Sequence, residues 1–383
     1  MASASALDSL SRPGSRARRL VERLLDGSGV ALDGPRPWDL QVHDPAFFPR
    51  VLRHGSLGLG EAYVEGQWDC DRIDEMIARL LRHGLGRRGD RSVERLFDVV
   101  QAELANLQCR SRAFIVGEKH YDRGNDLFEG MLGASMAYSC GYWREAATLD
   151  EAQRAKHDLV ARKLGLAPGM RVLDIGCGWG SLAEYAARHH GCEVVGITVS
   201  EEQAAYARER CAGLPVEIRL QDYRDLTGRF DRVVSIGMFE HVGPRNYGAY
   251  FRAVRRLLAA EGLFLLQTIG SNVPRRGVDP WINRYVFPNG NLPSAAQLIG
   301  AAETLLVMED WQSFGADYDR TLMAWCRNLE AAWPALGARY EEATHRTFRY
   351  FLLSCAGAFR AREIQLWQVV FSLRRPGRYD APR

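Results

Sequence analysis

Residues 171–180, RVLDIGCGWG, constrain this chain more than any other stretch. Val172, Leu173 and Ile175 form an apolar run of the length of a buried strand in a parallel sheet. Gly176, Gly178 and Gly180 follow at two-residue spacing, so the backbone can turn tightly and approach a ligand with no side chain between. SLAEYAARHH at 181–190 then sets Leu182, Tyr185 and Ala186 on one helical face. Strand, glycine turn and helix N-terminus together make a cradle for a polar or anionic ligand group at the carboxyl end of a parallel strand. A dinucleotide fingerprint is excluded. The spacing is GxGxG rather than GxGxxG, Asp174 lies inside the strand, and the next strand runs into Thr198-Val199-Ser200 with no acid at its tip.

The rest of the chain extends this βαβ beginning. Helix 200–211, strand 215–220, strand 230–236, helix 245–259 and strand 263–269 alternate in the rhythm of a doubly wound, mostly parallel sheet with helices on both faces. A further strand is expected near 305–310, and LWQVVFSLRR at 366–375 closes the sheet as the last strand. With 383 residues, the chain is long for one core, so a second, smaller and mainly helical N-terminal domain is expected over residues 1–110, with the catalytic domain at 111–383. CRSRAF at 109–114 reads as the linker, and helical spacing continues over 93–108.

A net charge of +3 lacks the basic excess of a dedicated nucleic-acid binder. The eight cysteines fall singly, without CxxC or zinc spacing, and read as the reduced thiols of a cytosolic protein with no metal. Apolar runs such as LFLLQTI at 263–269 are strand-sized, so any membrane contact is peripheral. One segment could make it. Leu20, Val21, Leu24 and Leu25 form a stripe flanked by Arg16, Arg18, Arg19 and Arg23, which suits either anionic lipid or the solvated face of an ordinary helix. A second basic patch comprises Arg79, Arg82, Arg87, Arg88 and Arg91.

Candidate site residues gather at the carboxyl ends of the strands. Ser200 and Gln203 have capping-box spacing. Asp222 is placed to accept from an adenine amine or simply to cap its own turn, and Tyr223 beside it offers a ring to a base. Glu240 follows the fourth strand as a base or anchor, with His241 beside it in a supporting role. The aromatic segment 120–143 is suited to fold over a ligand or to fill a domain junction.

Taken together, HYDRGNDLF, YSCGYW, VLDIGCGWG, QDYRDL, GMFEHVGP, DPWINRYVFPNG, MEDWQSFGADYDRTLMAW and CAGAFRAREIQLWQVVFS resemble the cyclopropane-fatty-acyl-phospholipid synthase family across essentially all of residues 115–375. The resemblance implies a Rossmann-like class I methyltransferase fold with a seven-stranded sheet. It also implies S-adenosylmethionine as methyl donor, a bound bicarbonate as base, a phospholipid bilayer surface as partner, a homodimer, and peripheral attachment to the inner face of the cell membrane. Donor contacts carry over onto Tyr138, Ser139, the loop with Asp174, Gly176, Cys177, Gly178, Trp179 and Gly180, then Thr198, Ser200, Gln203, Asp222, Tyr223 and Arg224. The bicarbonate pocket carries over onto Cys140, Glu240, Tyr318 and the backbone of Ile269, with Gln267 standing where the family has a histidine. Cys355 matches the cysteine assigned to the family's active site; an alkene offers a thiolate no electrophilic carbon, so it reads as pocket lining. Tyr318, Trp281 and Phe314 are candidates for cation–π stabilisation of a carbocation. A C-methyltransferase that leaves the ring unclosed, or a lipid-binding relative without turnover, are the competing readings.

Overall fold

The computed structural model describes residues 16–85, 124–274 and 277–383. The chain begins with α1 (Arg16–Leu25), β1 (Gln41–Val42), α2 (Phe47–Val64), β2 (Trp68–Asp69) and α3 (Ile73–Arg82). After α4 (Asn125–Leu132) and α5 (Leu149–Leu164) come β3 (Arg171–Ile175), α6 (Ser181–His190), β4 (Glu193–Thr198), α7 (Glu201–Arg210), β5 (Val216–Leu220) and β6 (Phe230–Ile236). The second half holds α8 (Tyr247–Leu257), β7 (Leu258–Ser271), α9 (Pro280–Tyr285), α10 (Ala295–Ala302), β8 (Val307–Ser313), α11 (Gly315–Leu336), α12 (Glu342–Arg360) and β9 (Ile364–Ser372).

Strands β3 to β9 form one seven-stranded sheet in the order β5-β4-β3-β6-β7-β9-β8. The first five run parallel, while β9 pairs antiparallel with both β7 and β8. Side chains alternate across it. Val172, Val234, Leu265 and Val370 pack on one face against Val160 of α5 and Leu182, Ala183 and Ala186 of α6. Leu173, Val233, Phe264, Leu266 and Phe371 pack on the other against Tyr250, Phe251 and Val254 of α8. Burial on both faces is what the near-continuous apolar runs of these strands require.

The end of the sheet departs from the sequence expectation. Residues 364–372 do not close an edge; they lie between β7 and β8, and β8 is the edge strand. The burial patterns give the reason: β9 is buried along almost its whole length, whereas β8 exposes Val307 and Met308 and suits solvent on one side.

Residues 16–85 share one apolar core with α4, α11 and α12. In α1, Ala17, Val21 and Leu25 point inward, but Leu20 and Leu24 are 37% and 45% exposed. The single stripe read from sequence is therefore split, because residues one apart on a helix diverge by about 100°. Arg79 is drawn into this packing, pairing with Glu75 at 2.8 Å and lying 4.2 Å over the Trp38 ring, and Arg82 donates to the Arg360 carbonyl at 3.0 Å. The other members of that basic patch, Arg87, Arg88 and Arg91, lie outside the described residues, as do the helix at 93–108, the linker at 109–114 and the start of the aromatic segment at 120–123.

Contacts among buried side chains bind the N-terminal helices to the rest. Arg360 of α12 makes two 2.9 Å hydrogen bonds to Asp319 of α11 and one of 2.5 Å to Asp74 of α3, a fully buried carboxylate that also accepts twice from Arg72. Trp281 packs 4.7 Å from Tyr350, and a Cβ on Gly60 of α2 would lie only 2.4 Å from its ring. Trp281 thus fills the seam between α2 and α12.

Candidate active site

At the end of β3 the chain turns on Gly176, at φ 82°, and the Gly176 and Cys177 amides both donate to the Ile197 carbonyl of β4 at 2.9 Å. A Cβ on Gly176 would meet the Met238 side chain at 2.9 Å, so close approach as well as φ requires glycine there. The turn opens a cavity of about 200 Å³ at the carboxyl ends of β3 to β6. Its walls bring together the sequence candidates Tyr138, Ser139, Asp174, Gly176, Cys177, Gly178, Trp179, Thr198, Ser200, Gln203, Asp222, Tyr223 and Arg224. Gly180 is not among the lining residues; it is the N-cap of α6 and lets Ala207 of α7 approach its Cα, where a Cβ would stand 3.0 Å away.

Only half of the expected capping box forms on α7. Ser200 Oγ accepts from the Gln203 amide at 3.3 Å, but Gln203 does not reach back to Ser200; its Oε1 accepts from Thr198 Oγ1 at 2.9 Å. Gln203 is thereby held in the cavity wall. Both oxygens of Asp222 accept from Arg224, at 2.8 Å and 2.6 Å, and Oδ1 also caps the following turn. A carboxylate has about four acceptor positions, so these bonds leave capacity for a ligand amine.

Cys140, next in sequence to Ser139, leads to a second group of buried polar residues. Glu240 sits in a short turn after β6, where its Oε1 accepts from the Ile269 amide at 2.7 Å and its Oε2 is buried with no hydrogen-bond partner among the described residues. Burial pushes this carboxyl up to about 7, against the opposing Ile269 hydrogen bond. Tyr318, in the first turn of α11, stacks on Phe359 at 4.6 Å. Burial raises its hydroxyl well above the usual range. Cys140 is raised well above its ordinary value by burial, and Cys355 is pushed up to about 12 for the same reason. Both are neutral thiols at neutral pH, which suits lining and hydrogen bonding rather than nucleophilic attack. Gln267 of β7 is 1% exposed, and its Oε1 accepts at 2.9 Å from Nε2 of Gln368, its cross-strand partner on β9. Phe314 packs edge-on to Tyr142.

Sequence reading missed α5, which brings Lys156 and His157 to the cavity. Thr148-Leu149-Asp150-Glu151 at its start is a capping box, formed reciprocally in the structure, and was the available signal. His241 also lines the cavity; burial pushes it down to about 4, so its ring is neutral.

Residues 108–369 match the family described as mycolic acid cyclopropane synthetase. This chain belongs to the mycolic acid cyclopropane synthetase family. It is 54% identical over 370 residues to the cyclopropane-fatty-acyl-phospholipid synthase of Escherichia coli K12, covering 97% of each chain. It is 32% identical to the tuberculostearic acid methyltransferase UfaA1 of Mycobacterium tuberculosis, over 90% of this chain and 85% of that one. The crystal structure of mycolic acid cyclopropane synthase CmaA1 complexed with SAH and CTAB superposes with a TM-score of 0.63 at 34% identity, over 67% of this chain and 97% of that one. As a member of the mycolic acid cyclopropane synthetase family, the protein is an S-adenosylmethionine-dependent methyltransferase with the class I fold.

Proposed function

We propose that this enzyme transfers a methylene unit from S-adenosylmethionine across the cis double bond of an acyl chain in a membrane phospholipid, closing a cyclopropane ring. The observation that carries the reading is a cavity at the carboxyl ends of β3 to β6 whose lining residues Ser139 and His241 are the chain neighbours of the buried Cys140 and Glu240. The 54% identity over nearly the full length supports the same reaction.

The residues divide the work. Asp222 and Tyr223 hold the adenosine, Gln203 and the Gly176–Gly178 turn hold the remainder of the donor, and Trp179 and Tyr138, packed around Phe128, keep water from the sulfonium. An isolated alkene is a poor nucleophile, so the protein must press it against the methyl in a reactive geometry. Tyr318, fixed by its stack on Phe359, offers an aromatic face to the positive charge that follows. Glu240 Oε2, buried and without a partner, fits a hydrogen-bonding ion, and Glu240, Gln267, Cys140, Tyr318 and the Ile269 backbone would hold bicarbonate. When bound there it supplies the weak base for the proton lost from the added methyl. Gln267 cannot titrate as a histidine would; with its carbonyl oxygen engaged by Gln368, its NH₂ group is the end available to an anion.

Mass spectrometry and proton NMR of lipids from cells expressing the protein test the reading. A gain of about 14 Da, that is one CH₂, with loss of olefinic protons and new high-field cyclopropane protons is expected for ring closure. A terminal-alkene or saturated methyl-branch signature would instead assign a C-methyltransferase, and vesicle binding without donor turnover an inactive lipid binder.

Among the described residues no helix is long and apolar enough to cross a membrane. We assign the lipid-facing surface to residues 1–110, and within it to the exposed side of α1, where Leu20 and Leu24 lie among the exposed Arg16, Arg19 and Arg23. A homodimer would present two such faces and make weak contacts avid. Changing both Leu20 and Leu24 to Glu is expected to weaken sedimentation with anionic phospholipid vesicles by about tenfold or more, since about 1 kcal/mol or more is lost per buried leucine. Donor affinity should be unchanged. Wild-type vesicle binding by the double variant would move the lipid surface elsewhere.

A further inference from the structure

Lys156 is 2% exposed, lines the donor cavity from α5 and donates from Nζ to Ser139 Oγ at 2.9 Å. A hydroxyl that accepts from an amine or ammonium keeps its own proton for another acceptor, and the polarisation strengthens that second bond. Ser139 lines the same cavity, and its carbonyl is pinned at 2.8 Å by Gln153 Nε2, so the hydroxyl is held in place from behind. Asp174, 3% exposed at the end of β3, shares the cavity and forms no ion pair with Lys156 among the described residues.

Of the other basic groups that line the cavity, His241 is kept neutral by burial. Arg224 is bonded to Asp222 at 2.6 Å, and His157 is buried against Ser181 Oγ at 3.3 Å and kept neutral by that burial. Among the described residues, Lys156 and Asp174 are therefore two opposite charges of the lining that no ion pair engages. Burial pushes Lys156 down to about 7 and Asp174 up to about 7, and the attraction between them offsets this only in part. A ligand that brings a carboxylate to one and an ammonium to the other compensates both at once, and an α-amino acid carries the two groups on a single carbon.

We propose that Lys156, together with the Ser139 hydroxyl it orients, receives the carboxylate of the donor's amino-acid end, opposite Asp174, which receives the ammonium. The assignment rests on reading this cavity as the S-adenosylmethionine site. It makes Lys156 a ligand-binding residue that recognises the part of the donor farthest from the adenine.

Isothermal titration with paired probes tests it. For Lys156→Met, the Kd for S-adenosylhomocysteine is expected to rise by about 10- to 100-fold, the loss of a hydrogen bond to a charged group, while that for 5′-methylthioadenosine, which lacks the amino-acid end, stays within about twofold. Unchanged affinity for S-adenosylhomocysteine overturns the proposal. So does an equal loss for both probes, which marks a structural role. A mutation-free arm keeps it falsifiable if the variant does not fold: the wild-type protein should bind decarboxylated S-adenosylhomocysteine about 10-fold or more weaker than the parent compound, and equal affinity overturns the assignment. Failure of the wild-type protein to bind any of the three nucleosides would overturn the donor-site reading itself, and the role of Lys156 with it.

Discussion

Glu240→Ala is expected to lower turnover by on the order of 10²- to 10³-fold, the range for loss of one preorganised hydrogen-bonding group at a reacting centre. Glu240→Gln should retain most of what alanine loses. With Oε1 engaged by the Ile269 amide, a proton on this carboxyl belongs on the unpartnered Oε2, and the glutamine NH₂ can take that position as a permanent donor. The sign of the pH dependence follows. Burial raises the carboxyl to about 7, so Oε2 donates below that pH and loses its proton above it. At a fixed concentration of bicarbonate ion, wild-type activity should fall as pH rises through about 7, and the glutamine variant should lack that fall. Steady-state kinetics over this range, with thermal unfolding as a control, checks the result. A folded Glu240→Gln protein as inactive as Glu240→Ala would show that the charge, not the donor, is required.

Asp74→Ala is expected to lower the unfolding free energy by about 3 kcal/mol, the low end for breaking a buried ion pair because Arg360 keeps its bonds to Asp319. Burial alone would push the Asp74 carboxyl up, but hydrogen bonds from Arg72 and Arg360 outweigh it and hold the group below its ordinary value of 3.8. A depressed folded pKa contributes stability that is fully present above the unfolded value and is lost as pH falls through the folded one. Urea titrations at pH 7 and near pH 3 should therefore show the wild-type advantage shrinking in acid. A difference under about 1 kcal/mol at pH 7 would mean the network is solvated rather than buried.

The cavity at the ends of β3 to β6 was legible because its residues are set by local sequence. The strand, glycine turn and helix at 171–190 fix the cavity edge within one continuous stretch, and Thr198, Gln203, Asp222 and Tyr223 follow at the ends of the next strands. What escaped depends on long-range packing. Lys156 and His157 sit on a helix whose start was marked by Thr148 and Glu151, but nothing in the spacing says that a lysine there is buried against Ser139. Gln368 could not be tied to Gln267 without knowing that β9 enters the sheet beside β7, a pairing across 101 residues. Trp281 read as an active-site aromatic because its type fits that chemistry; the absence of a side chain at Gly60, on another helix, makes its berth. The division of α1 into a buried and an exposed pair of aliphatic residues likewise depends on which side α2 occupies.

The interior position of β9 also sets a time order. During synthesis, β3 to β7 and the residues from Tyr138 to Ile269 are complete while β7 still has one unpaired edge, and Gln267 gains its partner only when residues 364–372 have been made. A nascent chain can thus hold every lining residue of the cavity and still lack the partner of Gln267. Among the described strands, β9 is thus the last in chain order that the sheet needs, and Gln267 waits on it for its partner.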